Sequence, residues 1–166
     1  MKFVSIIMGS KSDYEVVYEA AKILNEFGVA YEMIVSSAHR SPARTAKYVA
    51  DAEKKGAQVF ICAAGMAAHL AGAVAANTIK PVLGVPLGGS ALSGVDALYS
   101  TVQMPAGIPV ATLAIGKAGA KNAAYLAVQI LALSDEVLSS KLKADRAAKA
   151  EALKKDSEQI EVLLEG

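Results

Sequence analysis

Five short apolar runs recur along the chain: FVSIIM (Phe3–Met8), YEMIV (Tyr31–Val35), VFICA (Val59–Ala63), VLGV (Val82–Val85) and VATLAI (Val110–Ile115). Most are apolar nearly throughout rather than alternating, the pattern of strands covered on both faces. Between them the period changes. Val16, Ala20, Leu24 and Phe27 recur at three- and four-residue steps and predict a helix that Gly28 stops. A second helix is predicted from Pro42, a favourable first residue, to Lys55, with Gly56 just beyond. An alanine-rich helix follows at about Ala67–Asn77, a fourth starts near Ser93, and a fifth covers about Ala120–Leu131.

Strand and helix therefore alternate, which predicts an α/β fold: a three-layer, doubly wound parallel sheet of the flavodoxin or Rossmann type. Residues 135–164 depart from this pattern. They read as one long charged helix with an apolar stripe and no strand partner, either solvated on the domain or packed across subunits. The expectation is a single α/β domain over residues 1–166, with residues 135–164 as a helical extension.

Placement of the polar residues then narrows the chemistry. MGSKSD (Met8–Asp13) follows the first strand, SSAHR (Ser36–Arg40) the second, AAGMAAHLAG (Ala63–Gly72) the third and PLGGSALSG (Pro86–Gly94) the fourth. In an open parallel sheet the loops after the strands share one edge, where ligands bind. Both histidines, Asp13, Arg40 and most loop serines and glycines are thus expected on one rim. Small residues leading into helix N-termini suit an anion. Ser10, Ser12 and Ser37 add hydroxyls, Arg40 a fork for phosphate or carboxylate, and Asp13 an acceptor for sugar hydroxyls. The pattern points to a phosphorylated ligand. GSKSD lacks the spacing of a Walker loop and no G-x-G-x-x-G occurs, which places ATP and dinucleotides low.

Each residue also has a plainer reading. Asp13 is placed to cap the first helix, and Ser10 and Ser12 to satisfy turn amides. Arg40 has the option of a surface carboxylate. His69, in an apolar helical turn, has that of a buried hydrogen-bonded side chain, and His39 that of a turn residue. Their common rim favours a site. Two histidines and one cysteine in separate segments give no usual metal spacing, so no metal ligands are assigned. Cys62, inside a predicted strand, reads as a buried inert thiol, and no G-x-S-x-G elbow supports a serine hydrolase. His39 is left as the proton-transfer group for work near neutral pH.

Composition adds limits. The chain has 166 residues, 54% of them in the hydrophobic class and 20% charged, with a net charge of +1. One domain with a sizeable core is the default, and the apolar excess suggests buried elements or large subunit contacts. Nucleic acid is not an expected partner at this charge. The apolar run in MKFVSIIMGSKSD is short for a secretory leader, and no uninterrupted run reaches a spanning length. With a single cysteine, the expected compartment is the cytoplasm, with no membrane partner.

The motifs MGSKSD, SAHR, AAHLAG, SALSGVDALYS, VQMPAGIPVATLAIGKAGAKNAA and LAVQILAL, in this order, resemble class I N5-carboxyaminoimidazole ribonucleotide mutase of purine biosynthesis. The resemblance runs from Ile6 to about Asp135. It implies a three-layer α/β fold, a homo-octamer, a small ribonucleotide substrate and no cofactor. The implied reaction moves a carboxylate from the exocyclic nitrogen to ring carbon C4. His39 would be the general acid/base, with Ser10, Asp13 and Arg40 binding substrate and Ser12, Ser37 and His69 lining the site.

Some positions depart from the family pattern. Where the loop usually reads roughly GAGGAAHLPG, this chain has Ala63, Met66 and Ala71 in place of two glycines and a proline. Gly88–Gly89 stands where a polar pair is more common. These changes bear on pocket closure and affinity more than on reaction type. The rival readings are a class II enzyme that carboxylates aminoimidazole ribonucleotide with free CO2, and a non-catalytic sensor of purine intermediates that would not need His39.

Overall fold

The computed structural model describes residues 1–164, in two compact units, Met1–Val128 and a C-terminal unit from Gln129. The first holds five parallel strands: β1 (Phe3–Met8), β2 (Tyr31–Val35), β3 (Ala57–Gly65), β4 (Val82–Leu87) and β5 (Ala111–Thr112). Between them lie α1 (Tyr14–Phe27), α2 (Pro42–Lys55), α3 (Leu70–Ala75) and α4 (Val95–Val102), and α5 (Lys117–Ala132) follows β5. The strand order is β2-β1-β3-β4-β5, the flavodoxin-like arrangement with helices on both faces.

The glycine stops act as the sequence predicts. Gly28 and Gly56 both adopt the left-handed conformation, φ 72° and 115°, ending α1 and α2. The inner strands β1 and β4 are buried at every position; the one polar side chain among them, Ser5 of β1, shares a hydrogen bond of 2.9 Å with the Tyr48 hydroxyl. Phe3, Ile7, Phe60, Cys62 and Val82 pack on one face of the sheet with Val49 and Ala52 of α2 and Leu70 and Val74 of α3. Phe60 is fully buried, and a phenylalanine so placed is worth about 3–5 kcal/mol against alanine.

Four elements differ from the sequence expectation; one is the C-terminal helix, which ends at Ile160 rather than at Leu164. β2 is an edge strand and only half-buried, so its apolar run does not mean cover on both sides. β5 pairs over only two residues rather than the six of VATLAI. It too is an edge strand, held by β4 alone, and beyond Thr112 only isolated bonds such as Leu113 N–H to Gly84 O (2.9 Å) and Gly116 N–H to Pro86 O (2.9 Å) remain. α3 begins at Leu70 rather than near Ala67. Met66 has a left-handed backbone, φ 57°, and the tight turns Ala68 N–H to Met66 O and His69 N–H to Ala67 O occupy the residues before the helix.

In the second unit, after the last turn of α5, α6 (Glu136–Ile160) is capped by Asp135, whose side chain accepts the Leu138 N–H at 3.0 Å. None of its residues is buried. Among the described residues no helix is long and apolar enough to cross a membrane.

Candidate active site

The order β2-β1-β3-β4 sends the crossover from β1 and the crossover from β3 in opposite directions, so the loops after these two strands part and leave a crevice. A cleft of about 840 Å³ opens there. All seven residues singled out from the sequence, Ser10, Ser12, Asp13, Ser37, His39, Arg40 and His69, line it.

The loop after β1 is braced by its own polar groups. Ser10 caps the single 3-10 turn Lys11–Asp13, and its hydroxyl oxygen accepts the Ser12 N–H at 3.3 Å. The Asp13 carboxylate reaches back to accept the Ser10 N–H at 3.0 Å, closing a capping box. The Ser12 hydroxyl donates to Ser10 Oγ at 3.0 Å. Asp13 thus caps the turn before α1, and makes no side-chain bond to α1 itself. Burial raises its carboxyl above the ordinary value, while hydrogen bonds from Ser10 and Ser12 pull the other way.

The SSAHR segment is held from beneath. Ser36 and Thr45, both buried, share a hydrogen bond of 2.8 Å that ties the end of β2 to the first turn of α2. The Ser41 N–H and hydroxyl both donate to Ser37 O, at 2.9 and 3.0 Å. Ser37 Oγ accepts the Arg40 N–H at 3.1 Å. His39 and Arg40 are lifted into solvent on this frame. Arg40 forms no ion pair among the described residues. Its Nη2 makes a long 3.5 Å contact with Gly9 O, bridging the first two loops.

His69 precedes α3 and is exposed, so the buried reading fails. Its ring lies parallel to that of His39, with centroids 6.3 Å apart and planes 8° apart. Neither ring has a hydrogen-bond partner among the described residues, which leaves both free for a ligand. Cys62 is wholly buried in β3, and desolvation pushes its thiol far above the ordinary value, as expected of an inert side chain.

Some lining residues were not singled out from sequence. Ser90 lines the cleft and donates to Asp96 Oδ1 at 2.8 Å. Ser36 and Thr45 act from below and were missed as well. Ser36 ends an apolar run and Thr45 lies in a polar helical turn, both weak signals without knowledge of burial.

A protein-family model described as AIR carboxylase matches residues 3–152. The chain belongs to the AIR carboxylase family. A protein of Vibrio cholerae named N5-carboxyaminoimidazole ribonucleotide mutase is 54% identical over 150 residues, 90% of this chain and 93% of the relative. An Escherichia coli K12 protein of the same name is 56% identical over 139 residues, 84% of this chain and 82% of the relative. A crystal structure of Treponema denticola PurE superposes with TM-score 0.88 at 27% identity, covering 98% of this chain and all of that one.

Proposed function

We propose that this AIR carboxylase family member is an N5-carboxyaminoimidazole ribonucleotide mutase of purine biosynthesis. The reading rests above all on 54–56% identity to proteins of that name over most of both chains. The gathering of the seven residues in one cleft supports it. The substrate is the N-carboxylated ribonucleotide and the product its C4-carboxylated isomer.

In this proposal Arg40 takes the phosphate through charge-assisted hydrogen bonds, with the hydroxyls of Ser10, Ser12 and Ser37 around it. Asp13 accepts from ribose hydroxyls with the carboxylate lone pairs that Ser10 leaves free. The bond between the carboxylate carbon and the exocyclic nitrogen breaks, releasing CO2, and His39 as imidazolium delivers a proton to that nitrogen. C4 of the resulting aminoimidazole attacks CO2 to form the new carbon–carbon bond. Neutral His39 then removes the C4 proton and restores aromaticity, so the enzyme ends as it began. One imidazole acting as acid and then base works best with a pKa near the working pH. His69 lines the same space beside His39.

The proposed assembly is a homo-octamer of single catalytic domains, each with its C-terminal helix as an extension, working in the cytoplasm without a cofactor. Apolar side chains exposed on and just before α4 support self-association: Leu92 and Tyr99 are each 63% exposed, and Val95 and Val102 fall at helical spacing between and beyond them.

The family description names a carboxylase, so the fate of CO2 is the deciding test. Unlabelled N-carboxylated substrate is converted in buffer containing ¹³C-bicarbonate, with chelator and without ATP. CO2 held beside C4 reacts at high effective concentration, and early product should carry little label. Heavy early labelling would move the direct carboxylase ahead. No conversion at all would leave the sensor reading.

A further inference from the structure

We infer that Gly72 and Met104 are positioning residues that seat the His69 ring parallel to His39, an inference whose bearing on turnover rests on the proposed role of His39. Gly72 lies inside α3, in the run LAGAVA, without a positive φ. The backbone therefore has no need of glycine there, and alanine would be the better helix former. The reason is spatial. A Cβ on Gly72 would stand 3.2 Å from His69 Cε1, 3.3 Å from His69 Nδ1 and 3.2 Å from Met104 Sδ. The Nδ1–Cε1 edge of the ring thus lies closer to that position than a carbon there ordinarily allows.

His69 is three residues before Gly72, so the two share one face of the helical turn. Met104, from the segment after α4, brings its thioether to the same spot. Thioether sulfur packs favourably at the edge of aromatic rings. The His69 side chain makes no capping bond and has no hydrogen-bond partner among the described residues. Packing on Gly72 and Met104 therefore sets the ring plane that lies 8° from that of His39. The missing Cβ is thus a feature of the site, and α3 gives up helix propensity for it.

The test is Gly72→Ala, with Met104→Ala as a second variant that removes one wall and adds no atoms. In Gly72→Ala the ring and the sulfur must retreat by a few tenths of an ångström. Misplacement by 1 Å costs on the order of 10²-fold in rate, so a loss of about 10-fold in kcat is expected, with KM little changed. Tm should hold or rise, since alanine favours the helix. The chain has 2 histidines, so their ring resonances are readily followed by NMR. Those of both His69 and His39 should move in each variant, because each ring lies in the other's ring current. Unmoved resonances would overturn the seat. Moved resonances with unchanged kcat would overturn its link to turnover. If the wild-type chain shows no mutase turnover, the proposed function fails, and the resonances still decide whether Gly72 and Met104 hold the ring.

Discussion

The Asp13 carboxylate accepts the Ser10 backbone N–H at 3.0 Å, so the group proposed to bind ribose also holds its own loop in shape. Burial is the largest influence on this carboxyl and raises its pKa. Between the unfolded and folded pKa values the folded state then binds more protons than the unfolded one. Stability falls as pH rises through that window, and the penalty stays in full above it. Asp13→Asn keeps an oxygen for the Ser10 N–H and removes the charge. It should be more stable than wild type at neutral pH, with the advantage shrinking as pH falls below the ordinary carboxylate range, and it should bind substrate more weakly. Urea unfolding at neutral and acid pH checks this. A variant less stable than wild type at neutral pH would show that the carboxylate's hydrogen bonds outweigh its burial.

His39 is exposed at the rim on a frame set by Ser36, Thr45 and Ser41, so replacing it should leave that frame intact. His39→Asn removes proton transfer while keeping size and some hydrogen bonding. Turnover should fall by about 10²–10⁴-fold with ligand binding retained. Steady-state kinetics beside calorimetric binding of the ribonucleotide measures both. Near-normal turnover would remove His39 from the mechanism and favour another base.

Arg40 has no carboxylate partner among the described residues, and its guanidinium reaches toward Gly9. A hydrogen bond to a charged group contributes about 1.5–3 kcal/mol. Arg40→Ala should therefore weaken ribonucleotide binding by roughly 10–100-fold, the factors equivalent to that range. The bare nucleoside should be affected much less. Equal weakening of the two ligands would assign Arg40 to something other than phosphate.

Met66 stands in the left-handed region, φ 57°, and is 68% exposed. An L-residue there costs roughly 1–2 kcal/mol, and its exposure means little burial is given up when it is replaced. Met66→Gly relieves the strain but adds entropy to the unfolded chain, which returns part of the gain. A net stabilisation of up to about 1 kcal/mol is expected from urea unfolding. A destabilised variant would show that the thioether packs in the assembled protein.

The proposed octamer is checked by light scattering at micromolar concentration, where a mass of eight chains is expected. A monomer would leave the exposed Leu92 and Tyr99 without a role in assembly. Tyr99→Glu should shift the mass downward if that face is buried between subunits.

Local signals in the sequence determined much of this protein. Near-continuous apolarity predicted strands covered on both faces, as β1 and β4 are, and Gly28 and Gly56 ended their helices because only glycine enters the left-handed cap at no steric cost. The loops after the strands carried nearly all the unusual polar residues, and this alone assigned the seven to one rim. Apolar runs report burial, however, and not the number of neighbours in a ladder. That is why YEMIV and VATLAI read like inner strands and proved to be edges.

The remainder was decided by tertiary structure. The order β2-β1-β3-β4-β5 comes from long-range pairing, which no local period encodes, and it creates the crevice beside β1 and β3. Met66 is left-handed, α3 starts only at Leu70, and His69 stands exposed before it rather than in the core. The parallel rings of His39 and His69, and the bare Cα of Gly72 beneath one of them, belong to segments some 30 residues apart in the chain. Their meeting depends on packing between elements, and packing is a property of the folded chain alone.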